Sequence, residues 1–210
     1  MRDPSPGSRV VLDWDGTATE ADSLSLVMER FGDFGLWRST GRRMGRSLTH
    51  DEAIALSFAT VQAPLAEVVE WLLANVGVRA GFHELVRRYR PLIVSSGFHE
   101  LIDPVLEREG VRVAVLANHL EARADGWRID FRERDICLTC GEPCKRASLP
   151  GRDVIYVGDG YSDRCAALAV SRVFATGSLA RYLTARGVAY EPFDDLHDVL
   201  AALEPAATQR

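Results

Sequence analysis

The sequence predicts an α/β protein: a doubly wound, mostly parallel sheet with a helical bundle inserted after its first strand. Three observations carry this reading. Short apolar runs such as VVL (Val10–Leu12), LIV (Leu92–Val94), VIYV (Val154–Val157) and RVFA (Arg172–Ala175) alternate with helical patterns, the mark of βα units. From Asp22 to Val78 the apolar spacing is helical and no strand signal interrupts it. Polar groups sit where the runs end (Asp13 and Asp15, Ser95, Asp159), and parallel sheets carry their chemistry at the carboxyl ends of strands. The expected division is a core of residues 1–16 and 80–210 with a helical cap of residues 17–79.

The elements follow in order. MRDPSPGSR, rich in Pro, Gly and Ser, is expected to be a disordered leader. After the strand at Val10–Leu12, the residues Leu24, Val27, Met28 and Phe31 have amphipathic spacing, and Gly32 supplies a stop. Thr49 and Glu52 form a capping-box pattern ahead of Ile54, Phe58 and Val61. Pro64 suits a first helical turn before Leu65, Val68, Val69, Leu72, Leu73 and Val76, with Gly77 at the end. A helix over Phe82–Tyr89 leads to a strand at Leu92–Val94 that ends on Ser95, Ser96 and Gly97. A helix near His99–Glu109 closes at Gly110, and VRVAVLA reads as a strand. Asp125-Gly126 between HLEARA and WRIDF is a hairpin signal. A cysteine-rich loop, VIYV, the turn GDGYSD, a helix, RVFA and two further α/β pieces complete the chain.

Composition bounds the function. The 210 residues are 47% hydrophobic and 26% charged, as in ordinary globular chains. A net charge of −5 argues against a general nucleic-acid or anionic-membrane binder. No apolar run approaches a membrane span and the leader lacks a secretory apolar segment, so the expected compartment is the cytoplasm. Oligomeric state is not legible.

The strand-end residues form a chemical set. Asp13, Asp15, Asp159 and Asp163 converging on one crevice cannot all stay ionised without a cation, and oxygen ligands at this density favour Mg²⁺. Ser95 offers a hydroxyl. Ser96 and Gly97 offer backbone N–H groups at an expected helix start, a phosphate cradle, although an N-cap serine reads the same way. Lys145 is the only lysine among 25 basic residues, the rest being arginine. A metal, a carboxylate nucleophile and a ring of donors suit phosphoryl transfer.

In that order, DWDGT, VSSG, the lone Lys145 and GDGYSD resemble the four motifs of the haloacid dehalogenase superfamily, over Val10 to about Asp163. The helical insertion resembles the cap of the subfamily containing phosphoserine phosphatase. IVSSGF, ANHLEARADGWRIDF, CGEPCK and YVGDGYSD look more like the methionine-salvage branch acting on 2-hydroxy-3-keto-5-methylthiopentenyl-1-phosphate. The resemblance implies roles. Asp13 would attack phosphorus, and Asp15 would protonate the leaving alcohol and then activate water. Asp13, Asp159 and the Asp15 carbonyl would hold Mg²⁺. Ser95 and Lys145 would bind the phosphoryl group, and Asp163 would orient Lys145 or a water on the metal. The implied reaction is hydrolysis of a small phosphorylated metabolite. Phosphotransfer to another acceptor, as in mutases of the superfamily, and non-enzymatic phosphate binding are the alternatives.

Two features stay open. Arg38, Arg42, Arg43 and Arg46 in the expected cap form either a solvated basic face or a clamp for a substrate's distal anion. Glu20 and Asp22 fall where phosphoserine phosphatase has a substrate-reading acid, Asp22 by the better offset. Cys137, Cys140 and Cys144 give three potential metal ligands, with Cys165 or His119 as candidate fourths. Their spacing departs from the tighter CGxC of the relatives, so free thiols without a role in the chemistry are expected. His50, His83, His99 and His197 read as surface or helix-face residues.

Overall fold

The computed structural model describes residues 10–204; the leader expectation lies outside them. Among the described residues the strands are β1 (Val10–Leu12), β2 (Leu92–Phe98), β3 (Ala114–Glu121), β4 (Arg128–Asp130), β5 (Ile155–Gly158), β6 (Arg172–Ala175) and β7 (Glu191–Pro192). They form one seven-stranded sheet in the order β4-β3-β2-β1-β5-β6-β7. Every pairing is parallel except β3–β4, the hairpin turned at Asp125-Gly126.

β1 lies at the centre with parallel partners on both sides, which is why it reads as an unbroken apolar run. Its side chains alternate between layers. Val10 and Leu12 join a core with Trp14, Phe58, Phe82 and Phe98, whereas Val11 joins Leu92, Val94, Tyr156 and Leu179 on the other face. After β1 the chain builds outward through β2 to β4, then returns to β5 beside β1 and builds the other way. That reversal opens a crevice at the carboxyl ends of β1, β2 and β5.

Between β1 and β2 lie α1 (Ser23–Phe31), α2 (Phe34–Arg43), α3 (His50–Phe58) and α4 (Leu65–Asn75). The Thr49–Glu52 capping box is formed at α3. Helix α2 is not legible in the sequence as a separate element, because Gly35, Gly41, Ser39 and Thr40 are weak helix formers. Asp33 starts it by accepting from the Leu36 N–H at 2.8 Å. The remaining helices are α5 (Phe82–Tyr89), α6 (His99–Arg108), α7 (Arg164–Ala167), α8 (Gly177–Ala185) and α9 (Leu196–Leu203). Among the described residues no helix is long and apolar enough to cross a membrane.

One local expectation is corrected. Strand β2 continues through Phe98, so Ser95, Ser96 and Gly97 belong to an irregular strand end and not to the start of a helix. The Gly97 N–H already donates to Ser95 Oγ at 2.8 Å, and α6 begins only at His99.

Phe58 joins the inserted helices to the sheet. It is fully buried on α3, with its ring edge-on to Phe98 of β2 at 4.9 Å and to Trp37 of α2 at 6.1 Å, and stacked on Trp127 at 6.3 Å. Phe58→Ala is expected to cost about 3–5 kcal/mol by urea denaturation. A loss below about 1 kcal/mol would contradict this packing.

Candidate active site

Asp13 is the first residue beyond β1, and its N–H extends the ladder by donating to the Val157 carbonyl at 2.9 Å. The chain then coils through a π-type turn, Trp14–Ala18, with Gly16 at φ 77°. A side chain at Gly16 would be strained by that φ and would also meet Asp159, since a Cβ would lie 2.9 Å from its Oδ2. Arg79 holds the turn from below: its Nε donates to the Thr17 carbonyl at 2.9 Å and its Nη2 to the Gly16 carbonyl at 2.7 Å. The turn brings Asp15 round beside Ser23 and Ser95, whose hydroxyls both donate to its carboxylate, Ser95 at 3.3 Å. Gly97 leaves room for it, because a Cβ there would lie 2.7 Å from Asp15 Oδ2.

Lys145 arrives from the opposite wall at the start of a 3-10 turn, Lys145–Ser148. It is 4% exposed, and its Nζ donates to Asp13 Oδ1 and, at 2.7 Å, to Asp163 Oδ1. Asp163 is wholly buried at the start of α7. It also accepts from Tyr156 Oη at 2.7 Å and from the N–H groups of Asp159 and Gly160 at 3.0 and 2.8 Å. With four donors on its two oxygens it has no acceptor site left for a metal or a water, so its geometry is that of a Lys145 anchor. Thr17 Oγ1 stands 3.2 Å from Asp13 Oδ2 and 3.1 Å from Asp159 Oδ1, joining the two remaining carboxylates.

These carboxyls are poorly solvated. Burial, then the charge of Asp163, raises Asp13 to about 6 despite Lys145. Burial and the facing Asp22 raise Asp15 to about 7. Burial and the charges of Asp13 and Asp163 raise Asp159 to about 8. Burial alone would lower the Lys145 pKa, but Asp13 and Asp163 outweigh it and hold the ammonium charged well past neutrality. Without a cation the cluster therefore retains protons at neutral pH. Asp13 and Asp159, joined through Thr17, are the pair suited to hold a hard divalent ion.

A cavity of about 400 Å³ opens over this cluster. Asp13, Asp15, Lys145 and Asp159 line its floor, and Leu24, Phe34, Trp37 and Ile54 from the inserted helices, with Met44 just after α2, form much of its wall. Asp22 faces it while capping α1, accepting from the Ser25 N–H at 3.0 Å. Arg38 reaches the wall. Arg46 lines a neighbouring cavity of about 880 Å³ beside the cysteine loop, which the buried Ser95 also lines, and Ser96 lines both cavities. Arg42 and Arg43 are exposed and line neither cavity; Arg43 turns to Ser47 at 3.2 Å. Glu20 is exposed beside Gly77, outside both. Sequence reasoning missed Thr17, Ser23, Arg79 and Tyr156. Thr17 sat inside the DWDGT motif, while the others act across the fold and leave no local signal.

Residues 10–168 match the model of the haloacid dehalogenase-like hydrolases. The chain belongs to that family. It is 25% identical to a 2-hydroxy-3-keto-5-methylthiopentenyl-1-phosphate phosphatase of an Exiguobacterium species, a match covering 94% of this chain and 97% of that protein. It is 24% identical to the protein of the same name from Bacillus mycoides, covering 93% and 95%. A substrate-bound phosphoserine phosphatase superposes with a TM-score of 0.69 at 14% identity, over 95% of this chain and all of that one. At that identity the likeness is one of fold.

A carboxyl whose pKa is raised by folding stabilises the native state while protonated, and that contribution is lost as pH rises through the native value. For Asp159 the window runs from 3.8 to about 8. A divalent cation needs the ionised forms, so its stabilising effect grows over the same window. The rise in melting temperature on adding a fixed excess of Mg²⁺ is expected to be larger at pH 8 than at pH 5.5. An equal or smaller rise at pH 8 would contradict the assignment of these carboxyls as the cation site.

Proposed function

We propose that this hydrolase is a phosphatase that cleaves a small phosphomonoester through a phosphoryl group carried on Asp13. The observation that supports it best is the buried Lys145 held between Asp13 and Asp163, with Asp15 beside the same opening. A phosphate dianion and a carboxylate nucleophile repel each other, and a fixed ammonium at the nucleophile lowers that repulsion. Asp13, Asp159 and the Asp15 backbone carbonyl would hold Mg²⁺, which when bound supplies further charge neutralisation at the phosphoryl oxygens.

In the first step an Asp13 oxygen bonds to phosphorus as the bond to the leaving oxygen breaks, and Asp15 gives that oxygen its proton. In the second, Asp15 takes a proton from a water that attacks phosphorus, inorganic phosphate leaves and the Asp13 carboxylate returns. A carboxyl raised to about 7 is matched to both duties. Ser23 and Ser95 orient it, and Asp163 keeps Lys145 in place. Helices α1–α4 would serve as the cap, since their side chains wall the cavity above these groups.

The wall of Leu24, Phe34, Trp37, Met44 and Ile54 favours a substrate with an apolar end, such as the one named for the Exiguobacterium and Bacillus relatives, over zwitterionic phosphoserine. In a panel of phosphomonoesters with Mg²⁺, the methylthiopentenyl phosphate is expected to exceed phosphoserine in kcat/KM by about tenfold or more, the scale of an apolar pocket's discrimination. Preference for phosphoserine would overturn the substrate reading and leave the phosphatase reading intact. Phosphate found on an added alcohol in place of free phosphate would mean a transferase.

Two substitutions test the machinery. Asp13→Asn is expected to abolish turnover with the circular dichroism spectrum unchanged. Lys145→Arg keeps the charge, but the guanidinium fork does not fit a site built around one ammonium, so kcat/KM is expected to fall by about 10²-fold or more. Near-native activity in either variant would remove that residue from the mechanism.

A further inference from the structure

Cys137, Cys140, Cys144 and Cys165 lie apart in the chain but together in space. Their four sulfurs all fall within 4.8 Å of one another, and Cys165 comes from α7, 21 residues beyond Cys144. The other candidate fourth ligand, His119, is engaged elsewhere: its ring stacks on His99 and its Nδ1 meets Glu100 at 2.8 Å. A disulfide needs two cysteines in register, whereas here four are gathered around one point. Cys137 Sγ and Cys165 Sγ are 3.7 Å apart. The edge of a tetrahedron with zinc–sulfur bonds of about 2.3 Å is about 3.8 Å.

The local backbone fits a metal turn. In Cys137-Leu-Thr-Cys140-Gly141 the chain folds back with the Gly141 N–H donating to the Cys137 carbonyl at 2.8 Å, and Gly141 takes a positive φ of 79°. The Thr139 N–H points at Cys137 Sγ at 3.5 Å, as a donor to a thiolate would. The Cys140 thiol now leans on the Glu142 carbonyl at 3.4 Å, a contact it gives up when its proton leaves. The loop also lacks a core of its own. Ile136 is 61% exposed and Leu138 fully so, and the segment from Phe131 to Cys144 contains neither helix nor strand.

We propose that the four cysteines form a structural zinc site that fastens this loop to α7. Cys144 immediately precedes Lys145, and Cys165 stands two residues after Asp163. One tetrathiolate centre would thus clamp the two segments whose side chains meet at the Lys145–Asp163 bond. Four sulfur ligands leave no open position, so the centre is a structural staple with no substrate site. The proposal departs from the expectation of free thiols: spacing alone left Cys165 and His119 as alternative fourth ligands, and the fold brings Cys165 to the other three.

The test uses the full chain, purified without chelator and analysed for metal. About one zinc per chain is expected, with the thiols unreactive to a disulfide reagent until a mercurial releases the metal. Replacement by Co²⁺ should give the visible bands of tetrahedral cobalt and an intense thiolate-to-cobalt band in the near ultraviolet. Cys140→Ser, at an exposed position, should weaken that band and lower the bound zinc several-fold. The spectrum of the unmodified protein decides the matter even if the variant fails to fold. Zinc below about a tenth of an equivalent with four freely reactive thiols would overturn the proposal. So would a disulfide found by mass spectrometry of the unreduced protein, or Co²⁺ bound with octahedral, oxygen-type bands.

Discussion

The site depends on keeping like charges close together in a buried place. Asp13, Asp159 and Asp163 cannot share a desolvated pocket as three free anions, and Lys145 is the cation the chain supplies. The ammonium sits where Asp13 and Asp163 can both use it, and Asp163 is in turn fixed by Tyr156 and two backbone N–H groups. Replacing such a lysine by a neutral residue would leave buried carboxylates unpaired, a penalty of several kcal/mol beyond any direct effect on activity. In the proposed mechanism stability and chemistry are therefore tied at one atom, Lys145 Nζ.

The fold prepares this arrangement through its topology. Because β1 is central and its neighbours β2 and β5 lead in opposite directions, Asp13, Ser95 and Asp159 meet although they are distant in sequence. The turn after β1 adds Asp15 only because Gly16 tolerates both the left-handed conformation and the approach of Asp159. Arg79, from the far end of the inserted helices, braces the same turn through two of its carbonyls. The helices that make the cavity wall are thus mechanically joined to the residues that make its floor.

Much of this was legible in the sequence. The strand at Val10–Leu12, the helix at Phe82–Tyr89, the capping box at Thr49 and the Asp125-Gly126 hairpin each follow from local patterns that the structure keeps. The polar residues at strand ends could be read because parallel sheets place chemistry there. What could not be read depended on contacts between distant segments. Helix α2 is held by Trp37 packing on Phe58, which outweighs its weak helix formers. The extension of β2 to Phe98 rests on its pairing with Asn118 of β3 past an irregularity after Val94, which apolar periodicity does not report. The Arg cluster was one linear feature, yet Arg38 and Arg46 reach cavities while Arg42 and Arg43 point to solvent. Cys165 and His119 were both open in the sequence as companions of the loop cysteines, and only the fold brings Cys165 to them while His119 turns to Glu100.

The proposed mechanism requires that Asp13 become covalently phosphorylated. It is tested most directly by mixing the full chain with substrate and Mg²⁺, quenching in acid within the first turnover, reducing with borohydride and mapping the modified residue by mass spectrometry. The acyl phosphate, read as the reduced alcohol, is expected on Asp13 and on no other carboxylate. A phosphoryl group mapped to Asp15, Asp159 or any other side chain would contradict it, as would net inversion at phosphorus with a chiral substrate, the mark of direct attack by water.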